Sequence, residues 1–126
     1  VYLYVFDYTG KYSHQYKPGT QTPLGVAHHD DLIYLFYISE IFPEFNTTDK
    51  DAGMVRTLTS IWTNFANTGV PSVPCRTTIW QPLEKGEDRY LRISRCPEMI
   101  SGVPFSHRMA FWDSQFPLSG PRQQYY

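Results

Sequence analysis

The chain opens on VYLYVFDY, Val1 to Tyr8, in which both alternating sets of positions are apolar or aromatic until Asp7. A strand covered on both faces reads this way, and such strands sit in the middle of mostly parallel sheets. The chain holds no second run of this kind, so the strand's neighbours are expected outside it. Residues 1–126 then form a single partial domain, the C-terminal part of a larger α/β domain. The next stretch, GKYSHQYKPGTQTPLG from Gly10 to Gly25, has no sustained periodicity and predicts a long loop, a kind of segment that often carries function. From Asp30 or Asp31 to about Tyr37 the pattern turns from acidic to apolar and predicts a helix: the aspartates sit where its dipole favours negative charge, and Pro43 closes the segment.

The strongest periodicity follows. Met54, Val55, Leu58, Ile61, Trp62, Phe65 and Ala66 recur at helical spacing, with Thr48 and Asp51 as a capping-box-like pair in front and Gly69 and Pro71 behind. This is an amphipathic helix laid on a sheet, its aromatic stripe facing the core. Thr77–Trp80 (TTIW) and Tyr90–Ile93 (YLRI) are strand-like and predict a hairpin turning about Lys85 and Gly86, which places Ile79 opposite Arg92 and Cys75 opposite Cys96. In that register the two cysteines could bridge. Finally Ser106 is placed to cap a helix through HRMAFWDSQF, with Met109, Phe111, Trp112 and Phe116 available to dock and Pro117 to stop it.

Composition narrows the class. At 126 residues, 41% hydrophobic and 18% charged, the chain is in the size range of one globular domain and too apolar for disorder. A net charge of −1 with scattered Lys and Arg provides no footprint for nucleic acid or an anionic membrane. The longest apolar run, Leu32 to Ile38, is far short of the ~20 residues that span a bilayer. A signal region would lie outside the chain, so secreted and cytoplasmic locations both stay open.

Chemistry concentrates in GVAHHDDLIYLF, Gly25 to Phe36. As metal ligands, adjacent residues on a helix diverge, and only His28 with Asp31 has a workable spacing, so no metal and no cofactor is expected. As a general base, imidazole suits neutral pH, and a loop after a central parallel strand is where α/β folds place reactive groups. On spacing alone the plainer reading of His28 is an ordinary histidine bonded to a backbone carbonyl or to Asp31; catalysis stays open beside it. No G-x-S-x-G elbow occurs in the chain, so a nucleophile would come from elsewhere.

Taken in order, the strand, the long loop, GVAHHDDLIYLF, IWTNFANTGVP, IWQPL, YLRI and MAFWDSQF resemble the C-terminal region of type-B carboxylesterases, the cholinesterase-like branch of the α/β-hydrolases, and most of all insect esterases. The resemblance covers nearly the whole chain. It implies the C-terminal portion of an α/β-hydrolase fold: one central strand, a catalytic-histidine loop, packing helices and a short hairpin, incomplete as a domain. The family's pattern G-x-x-H-x-x-D/E starts here at Gly25, puts the catalytic histidine on His28 and the acidic position on Asp31. Asp31 is then a helix-start anchor and Asp30 is solvated, since the family's triad acid comes from an earlier segment. His29 departs from the small residue usual at its position; lining a pocket is one reading, and pointing outward is the plainer one. The C-terminal helix implies a homodimer face in some relatives, with core contacts the commoner use of Phe111 and Trp112. Asn46-Thr47-Thr48 is an N-glycosylation sequon.

Two functions follow from the resemblance. The first is hydrolysis of small-molecule carboxylic esters by a Ser-His-acid triad in the full-length protein, with His28 as base and residues 1–126 inactive alone. The second is a catalytically inactive, cholinesterase-like adhesion or binding protein, since such relatives can keep the histidine while losing the nucleophile. An intact Gly25, His28 and Asp31 favours the enzyme.

Overall fold

A computed structural model describes residues 1–15, 24–37, 40, 45–74 and 78–117. Its elements are strand β1 (Tyr4–Phe6), a single 3-10 turn (Leu32–Tyr34), helix α1 (Ala52–Thr68), strands β2 (Arg89–Ile93) and β3 (Glu98–Ser101), and helix α2 (Ser106–Gln115). The sheet order is β1-β2-β3. β1 runs parallel to β2, with Tyr4 opposite Leu91 and Phe6 opposite Ile93, while β2 and β3 form an antiparallel hairpin with Arg92 opposite Glu98. Arg92 and Glu98 also pair through their side chains across that ladder.

The opening strand therefore finds a neighbour within the chain, contrary to the expectation that none would be supplied. β2 lacks the continuous apolar run of β1 because it alternates: Leu91 and Ile93 are fully buried while Arg92 lies half-buried on the other face. β1 alternates too. Tyr2, Tyr4, Phe6 and Tyr8 pack into the core, Tyr4 meeting Trp62 of α1 edge-on at 5.3 Å and Tyr2 meeting Phe65 at 6.1 Å. Val1 and Leu3, on the opposite face, are exposed. Only one face of the sheet is covered among the described residues, and β1 and β3 are its two edges there.

The expected hairpin between residues 77–80 and 90–93 does not form. Both edges of β2 are taken, by β1 and β3, so no third strand can pair with it. The turn at Lys85–Gly86 does form, with Gly86 at φ 85°, but Trp80 in front of it is buried in the core and Ile79 exposed, with no ladder through either. Cys96 sits in the β2–β3 connection as an exposed free thiol, and Cys75 lies outside the described residues. The register that would have set the two cysteines opposite each other is thus absent.

α1 has the predicted extent and buries Ala52, Met54, Leu58 and Ile61; Gly69 ends it in the left-handed region at φ 74°, its amide bonded to the Phe65 carbonyl at 2.8 Å. The capping box does not form. Asp51 sits at the N-cap without a side-chain cap bond, and Thr48 bonds to Asn46 instead. α2 also differs at its start, where Phe105, at φ 53°, occupies the cap position that Ser106 was expected to fill. None of its residues is buried, so Phe111 and Trp112 make no core contact among the described residues.

Candidate active site

Between Ala27 and Asp30 the chain makes a four-residue turn closed by the Asp30 amide on the Ala27 carbonyl, 3.2 Å, with His28 and His29 at its tip. His29 stands at φ 74°. A positive φ at the third position of a turn belongs to the type II family, where glycine is the unstrained residue. Glycine would sit there without strain, whereas histidine carries it. Gly25, at φ 107°, is a second position where glycine's freedom is used, in the lead-in to the same turn.

Both imidazoles are exposed. The ring of His28 lies against that of His29, centroids 3.7 Å apart and tilted by 34°, and His14 meets His29 edge-on at 6.2 Å. His29 therefore neither faces away nor stands apart: it packs on His28 and joins it to the loop after β1. Among the described residues no three of His, Cys, Asp and Glu are gathered as a metal site.

The two aspartates behave differently from expectation. Asp30, expected in solvent, is only 3% exposed. Its Oδ2 accepts bonds from the Ser13 hydroxyl at 2.7 Å and the Ala27 amide at 2.9 Å, and its Oδ1 from the His14 amide at 2.8 Å. A buried carboxylate requires such donors, because desolvation penalises the charge unless hydrogen bonds replace water. Asp31, expected to anchor a helix start, makes no cap bond, and the expected helix shrinks to one 3-10 turn. Its Oδ2 instead accepts from the Tyr4 hydroxyl at 2.9 Å, tying the turn to β1. Burial, then that bond and the Asp31 charge, push the Tyr4 phenol up to about 12.

A third carboxylate completes the support, and sequence reasoning assigned it only to capping. Asp51, also 3% exposed, accepts from the Tyr8 hydroxyl and the Lys11 amide, both at 2.7 Å. Burial, then the bond and charge of Asp51, raise the Tyr8 phenol to about 12, with Arg95 opposing. Asp51 thus fixes the exit of β1 and Asp30 the segment just beyond it. The usable sequence signal was the tyrosine alternation of β1, which presents phenols to carboxylates arriving from later loops.

Asn46 is exposed, and its Oδ1 accepts from the Thr48 amide at 2.9 Å and the Thr48 hydroxyl at 2.6 Å, so the sequon forms a closed turn.

A parallel strand pair joined by a crossover that carries α1, with the histidine turn beyond the first strand, is the architecture of an α/β protein. The carboxylesterase family profile matches residues 1–112, and the chain belongs to the carboxylesterase family, whose members are α/β-hydrolases. Juvenile hormone esterase of Tribolium castaneum is 36% identical over 117 residues, 88% of this chain and 20% of that protein. Esterase E4 of Myzus persicae is 29% identical over 68% of this chain and 15% of its own length, and human Neuroligin-2 is 27% identical over 89% of this chain and 15% of its own. The chain thus spans a fifth or less of these relatives. No helix among the described residues is long and apolar enough to cross a membrane.

Proposed function

We propose that the full-length protein hydrolyses small-molecule carboxylic esters through a serine nucleophile, with His28 as the general base. The observation that carries this reading is the position of His28: an exposed imidazole at the tip of a braced turn, on the loop that follows a parallel strand. In the reaction His28 takes the proton of a serine hydroxyl as it attacks the ester carbonyl, then delivers it to the departing alcohol. An acyl-serine remains, and water deprotonated by His28 releases the acid. The serine and the triad acid come from outside residues 1–126, which contain no G-x-S-x-G elbow.

His28→Ala in the full-length protein is expected to lower kcat by roughly a thousandfold or more, since triad members act as a unit. Turnover within tenfold of the parent would refute the assignment. The likeness to Neuroligin-2 supports a second reading, a non-catalytic binding protein. The residue at the centre of the full-length protein's nucleophile elbow separates the two, serine for the enzyme and any other residue for the binding protein.

A further inference from the structure

Asp30 is the residue the mechanism does not yet use. Its main chain and side chain both close on Ala27, the amide bonding the Ala27 carbonyl and the carboxylate the Ala27 amide, so the His28 turn is latched twice at its base. The remaining carboxylate contacts, to the Ser13 hydroxyl and His14 amide, fasten that base to the segment leaving β1. Two segments, residues 13–14 and the 27–30 turn, therefore meet on one buried group, and His28 is the residue next to the latch.

Resting on the esterase reading, we propose that Asp30 is a positioning residue for His28, holding the imidazole where it can reach the serine hydroxyl. General-base catalysis depends on hydrogen-bond reach, and a displacement of about 1 Å can cost on the order of a hundredfold in rate. Asp30→Asn is the informative change. The new side chain keeps a carbonyl for the His14 amide, and Ser13 can turn its hydroxyl to accept, but the Ala27 amide then faces an NH2 group and the latch beside His28 opens. The carboxylate does not contact substrate in this scheme, so binding should survive while turnover suffers.

The test uses the full-length protein with a p-nitrophenyl ester, comparing parent, H28A, D30N and S13A, with kcat expressed per folded molecule and folding checked by thermal unfolding. D30N is expected to lose tenfold or more in kcat with KM within threefold of the parent, and S13A, which removes one bond of three, to lose about threefold. A purely structural Asp30 would reduce the unfolding temperature and leave kcat per folded molecule unchanged; D30N kcat within twofold of the parent therefore overturns the proposal. Should D30N not fold, S13A decides, with unchanged kcat overturning and a selective kcat loss supporting. An inactive parent, or an active H28A, overturns the esterase reading and this inference together; an active parent silenced by H28A with D30N unaffected overturns this inference alone.

Discussion

A single methyl group at Gly10 tests the packing that fixes the exit of β1. Gly10 is not among the positive-φ glycines, so alanine suits the backbone there and only space is at stake. The added Cβ would overlap the Tyr34 hydroxyl and stand 2.7 Å from Asp51 Oδ2 and 3.1 Å from Tyr34 Cζ. Tyr34 cannot easily give way: it is 2% exposed and wedged among Phe6 and Tyr8, each with centroids 5.7 Å away, and Phe45, stacked at 5.5 Å. Overpacking of this kind costs about 1–3 kcal/mol. Displacing Asp51 weakens its bonds to Tyr8 and Lys11, and a bond to a charged acceptor contributes about 1.5–3 kcal/mol. Alanine returns about 0.4–1 kcal/mol by restricting the unfolded chain. The net expectation is a loss of about 3 kcal/mol, read from urea unfolding of the full-length protein followed by tryptophan fluorescence. Tyr34→Phe removes the oxygen nearest the new methyl, so the double variant should be about 1 kcal/mol more stable than the two single effects predict. A Gly10→Ala effect below about 0.5 kcal/mol, or strict additivity with Tyr34→Phe, would show that the site has room and refute the reasoning.

Two further predictions concern the same supports. Tyr4 and Tyr8 ionise at about 12 in the folded protein, against about 10 for an unfolded tyrosine, so their contribution to stability is complete below pH ~10 and is lost as pH rises through 12. The urea midpoint should fall across that window and fall less in the Tyr4→Phe, Tyr8→Phe double variant; parallel pH profiles would contradict it. At His29, a left-handed residue with a side chain, unfolding free energies should rank His29→Gly at or above the parent and His29→Val below it by about 1–2 kcal/mol, because a β-branched side chain is worst at positive φ. A Val variant as stable as the parent would remove the turn assignment.

What the sequence disclosed were the features whose cause is local. α1 and its Gly69 end came from the helical spacing of apolar residues between Met54 and Ala66 and a glycine cap, and Tyr4–Phe6 from an unbroken apolar run. The proposal for His28 rests on a motif rather than on spacing. The two misjudged carboxylates depend on partners remote in sequence. Asp30 looks like a helix-start carboxylate in front of Leu32 and Ile33, and only the arrival of Ser13 and His14 makes it a buried hub. Asp51 looks like a cap until Tyr8 and Lys11 claim it. β3 went unread because Glu98–Ser101 is four residues long with two polar ends, too short to show a period. Its pairing then decided which edge of β2 was free, and so removed the hairpin expected from Thr77–Trp80.

The parallel pairing of Tyr4 with Leu91 also sets a timetable for making the protein. β1 leaves the ribosome long before the strand that closes on it, and at roughly 5–20 residues per second the wait is on the order of several seconds. Tyr2, Tyr4, Phe6 and Tyr8 have neither β2 beside them nor α1 above them until α1, the first of the two to emerge, can dock. This aromatic segment is then a ready ligand for chaperones and for other nascent chains, and anything that delays α1 from docking lengthens that exposure. Yield in the cell is accordingly expected to be more sensitive than the finished fold to changes along Val1–Tyr8.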